Sequence, residues 1–466
     1  MTRTRLVAVA ATVLVLLQAL VLALPARAAD EGLTRLRLTL TTTSDWATAS
    51  LGDLRVRAQQ VVAAPHGKLY SGAQEWTLVP SSGEPAAAVV DLVVEVASDR
   101  DPRLVLRKGM VGTATVDLEV RNAADGGVPA VHAHLDTNHP DVNRLEQPID
   151  AAALDPGGLA VHPVDPRRLT LAFYYPWFGA DAPRDLRIGP DDPVAPYATD
   201  DPAAVSAMVD QAAGAGVDGF VVSWEGARHA GPVDLLVDAV AARPGFTLAP
   251  VLELRALSTR GLLGGSTFDP SVAAAATRDF LARVPAASRL EVDGRPVLFA
   301  FGMWDLSVEQ WAAYRAQLAD LAPFVVGDRW DPRYALDGLY EYDPNPYSAD
   351  ELGARTARAV ELARLRPLVD PSTPPRLWAA TVSPGYDTTA SQPLWKARRT
   401  SRAGGWRYDM TWQVALREPP DWVLITSWNE WYEQTHVVPG TRTGTQALEQ
   451  TGRWTERFRT TASAGT

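Results

Sequence analysis

Between residues 169 and 428 the chain repeats one pattern eight times: a short, continuous apolar run, then a stretch carrying helix signals. The runs are 169–175, 217–224, 247–253, 296–301, 322–328, 337–341, 376–382 and 421–428. Runs without polar alternation suit parallel strands buried on both faces. Parallel neighbours cannot be joined by a hairpin, so a crossover helix must lie between them. Asp201 with Pro202 supplies an N-cap and first turn, and Ser307 with Gln310 and Ser348 with Glu351 have capping-box spacing. Pro419-Pro420 ends a helix before the last run. Eight such units over about 300 residues predict a (β/α)8 TIM-type barrel spanning 166–466. A doubly wound open sheet meets the same alternation, but no G-x-G-x-x-G or Walker motif supports a nucleotide site in one.

Residues 30–165 follow a different period. Leu36-Arg37-Leu38-Thr39-Leu40, 89–94 and Thr115-Val116-Asp117-Leu118-Glu119-Val120 alternate or concentrate β-branched residues, with turn signals such as Ser81-Ser82-Gly83 and Asp125-Gly126-Gly127 between runs. This predicts an all-β sandwich. Asp155-Pro156-Gly157-Gly158, followed by Pro163, Asp165 and Pro166, is composed as a linker. A chain of 466 residues has room for both domains.

The first 28 residues have the composition of a signal peptide. Arg3 and Arg5 precede an apolar run from Leu6 to Leu24, Pro25 breaks it, and Ala26-Arg27-Ala28 fits a small-x-small cleavage site. The run is nearly long enough to serve as an uncleaved anchor, and the position of Pro25 favours cleavage. A secreted protein is therefore expected, without membrane attachment after processing. Cleavage after Ala28 removes three arginines and takes the net charge from −11 to −14, which disfavours nucleic acid as a partner. The chain has no cysteine, so disulfides, thiolate metal sites and a thiol nucleophile are excluded.

Active sites of such barrels lie at the C-terminal ends of the strands. There the sequence places Tyr174-Tyr175-Pro176-Trp177-Phe178-Gly179, Ser223-Trp224-Glu225, Glu253, Trp304-Asp305, Asp328-Arg329-Trp330, Tyr340-Glu341-Tyr342, Ser383-Pro384-Gly385-Tyr386-Asp387 and Ser427-Trp428-Asn429-Glu430-Trp431-Tyr432-Glu433. Aromatic faces stack on sugar C–H faces, and carboxylates bind hydroxyls or move protons. Any one tryptophan taken alone reads better as core; the recurrence at strand ends points to a glycan. Glu430 and Glu433 are the sharpest pair, since glycoside cleavage needs an acid for the leaving oxygen and a second carboxylate at the sugar. Residues three apart on a strand face opposite ways, so the pair can act together only if the chain turns after Trp428.

Taken in order, Tyr174–Gly179, Gly216–Trp224, Ser383–Asp387 and above all Thr426–Glu433 resemble glycoside hydrolase family 99, the endo-α-mannosidases and endo-α-mannanases, over roughly residues 170–440. The resemblance implies a retaining, endo-acting hydrolase of α-mannosidic linkages, using no metal or other cofactor and taking a polysaccharide or oligosaccharide as its partner. It implies that Glu430 is the base toward the sugar's own 2-hydroxyl, which attacks C1 to give a 1,2-anhydro sugar, and that Glu433 is the general acid. It also implies that Glu253 contacts substrate and that Tyr175, Trp177 and Tyr340 line the sugar site. With the other strand-end residues, the candidate substrate-binding set is Tyr175, Trp177, Trp224, Glu253, Tyr340, Tyr386, Asn429, Trp431 and His436. Three positions depart from the family pattern. Gln434-Thr435-His436-Val437-Val438-Pro439 lacks a rim carboxylate, no arginine stands among Thr388–Pro393, and Glu225 replaces an aromatic.

Weaker signals have plainer readings beside them. His132, His134 and His139 have partial metal-ligand spacing, and histidines on a solvated strand face account for them as well. His436 could meet a sugar hydroxyl, tune Glu433, or lie on the surface. Asp328 and Asp387 could bind hydroxyls or cap turns. The N-terminal domain binds glycan through Trp46 and Trp76, or only packs on the barrel. A monomer is expected. Two other functions fit such a barrel: a non-catalytic glycan-binding protein, and an enzyme of glycan biosynthesis. The export signal opposes biosynthesis, and the glutamate pair opposes mere binding.

Overall fold

The computed structural model describes residues 33–460 apart from 82–83, 97–100, 122–126, 137–142, 155–162, 180–188, 195–197, 255 and 261–265. The signal peptide, His139 and the 155–158 part of the linker lie outside these residues.

Ten strands form two antiparallel sheets: β1 (Leu33–Thr42), β2 (Ala47–Gly52), β3 (Leu54–Ala63), β4 (Gly67–Ser71), β5 (Glu75–Pro80), β6 (Ala86–Val96), β7 (Arg103–Lys108), β8 (Thr113–Val120), β9 (Val128–Asp136) and β10 (Arg144–Pro148). One sheet runs β3-β6-β1-β8-β9 and the other β10-β7-β2-β5-β4. The runs recognised in sequence are the three central strands of the first sheet. Their register sets Leu38 between Val90 and Leu118, and Leu40 between Ala88 and Val116, so the alternate residues form a dry layer between sheets. Trp76 belongs to this core: it is fully buried and its Nε1 donates to Gln59 Oε1 at 2.7 Å, so it is not a glycan platform. His132 and His134 are exposed on β9, where His132 Nδ1 meets Asp117 Oδ1 at 2.5 Å.

The second part is a closed barrel. Its strands are β11 (Thr170–Tyr174), β12 (Gly219–Trp224), β13 (Thr247–Glu253), β14 (Arg295–Phe301), β15 (Phe324–Gly327), β16 (Gly338–Tyr340), β17 (Leu377–Val382) and β18 (Trp422–Ile425). All eight pair in parallel in chain order, and β18 returns to β11 to close the ring. Each coincides with an apolar run read from sequence. Helices α1 (Pro202–Gly214), α2 (Ala230–Ala241), α3 (Pro270–Arg283), α4 (Val308–Gln317), α5 (Ala349–Val360), α6 (Trp406–Ala415) and α7 (Gln446–Thr460) surround it. A single 3-10 turn, Pro332–Tyr334, takes the place of a helix between β15 and β16. The helix starts follow the sequence signals. Asp201 caps α1 by accepting from Ala203 N, and both capping boxes, Ser307 with Gln310 and Ser348 with Glu351, are closed.

Inside the barrel, Phe173, Phe299 and Tyr340 pack with centroids 5.7–6.3 Å apart, filling the lumen below the rim. The sandwich docks against the opposite, N-terminal end. Val93, Leu33 and Ala58 of its first sheet join the barrel core, Arg57 bridges Glu95 at 2.9 Å and Glu418 at 2.7 Å, and Arg366 donates to Gln59 O and Gln60 Oε1.

Candidate active site

After Ile425 the chain leaves the strand and closes a loop on itself. Ser427 N donates to Thr435 O at 3.0 Å, Val437 N donates to Trp428 O at 3.0 Å, and the Ser427 and Thr435 hydroxyls meet at 2.7 Å. Ser427 Oγ also accepts from Glu430 N at 2.9 Å, which fixes the turn that carries the first glutamate. Trp428 N still donates to Phe173 O, so the loop remains tied to the rim of β11. The chain thus turns before the pair, three residues earlier than the apolar run suggests, and Glu433 rather than Glu430 is among the residues lining the cleft.

The pair sits in different surroundings. Glu430 is 4 % exposed, and its Oε1 accepts from Tyr432 N at 2.9 Å. Glu433 reaches the wall of an open cleft of about 660 Å³. Its Oε1 accepts from Tyr386 Oη at 3.3 Å, while its Oε2 is buried with no hydrogen-bond partner among the described residues. Burial raises both carboxyls. Glu430 is pushed well above the ordinary range, with the charge of Glu433 adding to burial, and Glu433 is pushed up to about 7, with Asp343 adding to burial. Glu253 at the end of β13 accepts from Ser223 Oγ at 2.7 Å and is also raised by burial to about 7. Asp328 rises to about 6 for the same reason, although it accepts from Gly302 N and Met303 N.

Tyr175 stands among the three glutamates. Burial and then the charges of Glu430, Glu433 and Glu253 hold its hydroxyl neutral, and it hydrogen-bonds Tyr342 Oη. Trp177 leans on Tyr175 at 4.8 Å and on His229 at 6.0 Å, and its indole N–H is buried without a partner among the described residues. Asn429 is fully buried. Its Oδ1 accepts from Tyr175 N at 2.7 Å and its Nδ2 donates to Tyr175 O at 2.8 Å. It positions the site rather than facing a sugar.

Four candidate contacts lie elsewhere. Trp224 points out of the barrel under α3, where its Nε1 donates to Ala276 O and its ring meets Phe280 edge-on. Alternation along β12 makes Ser223, not Trp224, the inward residue. Tyr340 points inward but one layer too deep, donating to Ala300 O at 3.2 Å; two residues on, Tyr342 reaches the cleft. Trp431 and His436 are both fully buried and stack on each other at 3.8 Å. His436 neither lies on the surface nor faces a sugar: its Nε2 meets Asp191 Oδ2 at 3.3 Å. Burial, and then Arg402, lower its pKa to about 3, which keeps the ring neutral.

Sequence reasoning did not single out Tyr342, Asp343, Trp304, Trp330 or Arg398, all of which line the cleft. Tyr342, Trp304 and Trp330 belong to strand-end motifs already marked, though not chosen as sugar contacts, and Asp343 directly follows one. Arg398 carried no such signal. It comes from ten residues beyond Thr388, returned to the rim by the pairing of Tyr386–Asp387 with Arg399–Thr400, and lies over the Tyr386 ring at 5.6 Å.

No family model matches the sequence. A stretch of 96 residues is 33 % identical to the glycoprotein endo-alpha-1,2-mannosidase-like protein of Danio rerio, covering 18 % of this chain and 22 % of that protein. A stretch of 97 residues is 34 % identical to the human protein of that name, with 18 % and 21 % covered. The chain thus spans about a fifth of the length of the curated relatives it matches. Among solved structures, the GH99 endo-alpha-mannosidase from Bacteroides thetaiotaomicron superposes with a TM-score of 0.50 at 18 % identity, over 63 % of this chain and 98 % of that one. Its complex with bis-tris-propane gives 0.51 at 19 %. The barrel fold is the fold of those structures, and the resemblance to glycoside hydrolase family 99 read from the motifs stands on both comparisons.

Proposed function

We propose that the chain is a secreted, retaining, endo-acting glycoside hydrolase that cleaves α-mannosidic linkages in mannan or mannose-rich glycans. The observation that carries this reading is the Glu430–Glu433 pair itself: two carboxyls of raised pKa on one loop, Glu430 buried and Glu433 part-buried at the wall of an aromatic and acidic cleft. Glu433 is the general acid, because it reaches the cleft and titrates near neutrality, where an acid can both hold and release a proton. Glu430 is the deeper group and burial favours its protonated form, so it acts as base in the microstate in which the pair's proton resides on Glu433, taking the proton of the sugar's 2-hydroxyl. That oxygen attacks C1 as the glycosidic bond breaks, and the leaving oxygen takes the proton of Glu433. Water then attacks C1 of the 1,2-anhydro sugar, giving a proton to Glu433, while the C1–O2 bond breaks and Glu430 returns its proton to O2. Trp177, Glu253 and Tyr386 hold the sugars.

Incubation with α-mannan and mannose-rich oligosaccharides, with products read by mass, tests the activity. Glu433→Gln is expected to lose about 10²–10⁴-fold on natural glycans and much less on a mannoside whose leaving group needs no proton. Glu430→Gln is expected to fail on both, and a 2-deoxy or 2-fluoro substrate to fail with the wild type. Rescue of Glu430→Gln alone by the activated substrate would reverse the roles. Export rests on the basic, apolar, then small order of residues 3–28. N-terminal sequencing of secreted material should find Ala29 first; Met1 would oppose it.

A further inference from the structure

Behind Tyr386 lies a second cavity, of about 350 Å³, a size that admits one sugar ring and its substituent. Tyr386 borders both cavities, and its hydroxyl bonds Glu433, so the second space begins beside the acid end of the main cleft. Its wall holds Arg399, Arg402 and Arg442 against Asp191 and Asp387.

The acids of this wall are turned inward and occupied. Asp191 is 3 % exposed and accepts from Arg442 N, Thr443 N, the Thr441 and Thr443 hydroxyls and His436. Asp387 is also buried and accepts from the backbone and hydroxyl of Thr389. The arginines are less neutralised. Arg402 donates to the carbonyls of Gln434 and His436, and Arg442 to that of Pro190. Arg399 is exposed and touches Asp387 only at 3.3 Å. The space therefore shows cationic groups to its occupant, on a chain whose net charge is −11.

Resting on the hydrolase reading above, we infer that this cavity is a subsite for an anionic substituent, a phosphate, sulfate or carboxylate, carried by the glycan on the leaving-group side of the cut. Guanidinium groups pair with such oxyanions through two parallel N–H donors. Arg399 and Arg442 both line the cavity and are exposed, free to meet such a group, while Arg402, tied to the carbonyls of Gln434 and His436, adds positive charge to the same wall.

The test compares matched oligomannosides, unsubstituted or bearing one phosphate monoester, sulfate ester or uronate, on the wild type and on the Arg399→Gln, Arg442→Gln double variant. At low salt the wild type should prefer at least one anionic form by about tenfold in kcat/KM, a preference that salt erases and the double variant lacks. Cleavage of all four at equal rates would overturn the subsite and leave the hydrolase reading intact. Equilibrium binding of mannose 6-phosphate against mannose, measured by calorimetry, tests the subsite without catalysis. Tighter binding of the phosphate that both substitutions remove supports it even if no glycan is cut, and equal binding of the two sugars, with no preference for the sulfate or uronate either, sinks it.

Discussion

Asn429 holds the backbone of Tyr175 from both sides, accepting its N–H at 2.7 Å and donating to its carbonyl at 2.8 Å. This clamp ties the exit of the last barrel strand to the exit of the first, so the loop bearing Glu430 and the tyrosine facing it move as one piece. Asn429→Asp keeps the acceptor but loses the donor and adds a buried charge among three carboxyls. Asn429→Ala loses both bonds. Each is expected to lower kcat by about 10²-fold, the usual cost of misplacing a catalytic group by an ångström. KM should change little and circular dichroism not at all. Normal turnover in Asn429→Ala would show that the clamp positions nothing.

The strands, their order and the reacting loop were legible in sequence because their cause is local: eight apolar runs, capped helices and one dense motif. The direction of individual side chains was not. Along β12 and β16 the choice between Ser223 and Trp224, or between Tyr340 and Tyr342, depends on parity and on depth in the barrel, and neither shows in composition. A large aromatic at a strand end draws attention, yet Trp224 is held by Phe280 and Ala276 of a helix 52–56 residues on. His436 was misread for a related reason. Its partner Asp191 is 245 residues distant, so no local pattern marks the ring as buried.

That buried pair has a pH signature. The His436 pKa is lowered to about 3 against an ordinary 6.5, so the folded state binds its proton less readily than the unfolded state does. Its contribution to stability is present above about pH 6.5 and is lost as pH falls through that value toward 3. Asp191, held below the ordinary carboxylate range by His436 and Thr443 against the opposing effect of burial, adds a further loss at the acid end. His436→Phe keeps the stack on Trp431 and removes the titration. Its melting temperature should fall less steeply between pH 6.5 and 4 than that of the wild type. At pH 7 its kcat should fall, because the loop loses the bond to Asp191, while the alkaline limb of its pH–rate profile stays where it was. Parallel acid curves for the two proteins would show that His436 is not buried neutral.

Glu433 moves the other way. Its folded pKa of about 7 exceeds the ordinary 4.5, so the folded state binds this proton more tightly. The associated stability is full below about pH 4.5 and is lost as pH rises through 7. Glu433→Gln, uncharged at every pH, is therefore expected to melt about 3 °C above the wild type at pH 8 and level with it at pH 4. The same group gives kcat/KM its alkaline limb near pH 7, since an acid that has lost its proton cannot assist departure. Because Glu430 and Glu433 titrate together, the two limbs report the pair. The variant should lack the alkaline limb on an activated mannoside. A limb that survives there would belong to another group.

Arg57 tests whether the sandwich takes part in catalysis. It bridges Glu95 of its own sheet and Glu418 of the barrel, with all three side chains at most 17 % exposed. Glu418 lies just before Pro419-Pro420 and β18, at the N-terminal end of the strands, and Arg366 and Gln60 meet at the same end. The interface is therefore a barrel's length from the rim, and no strain there need reach Glu430. Arg57→Ala leaves two carboxylates facing each other in a partly dry contact, which should cost about 1–3 kcal/mol. Thermal unfolding should shift down accordingly, while kcat/KM measured well below the transition stays within twofold. A large loss of kcat/KM without loss of stability would instead place the sandwich in the working part of the enzyme.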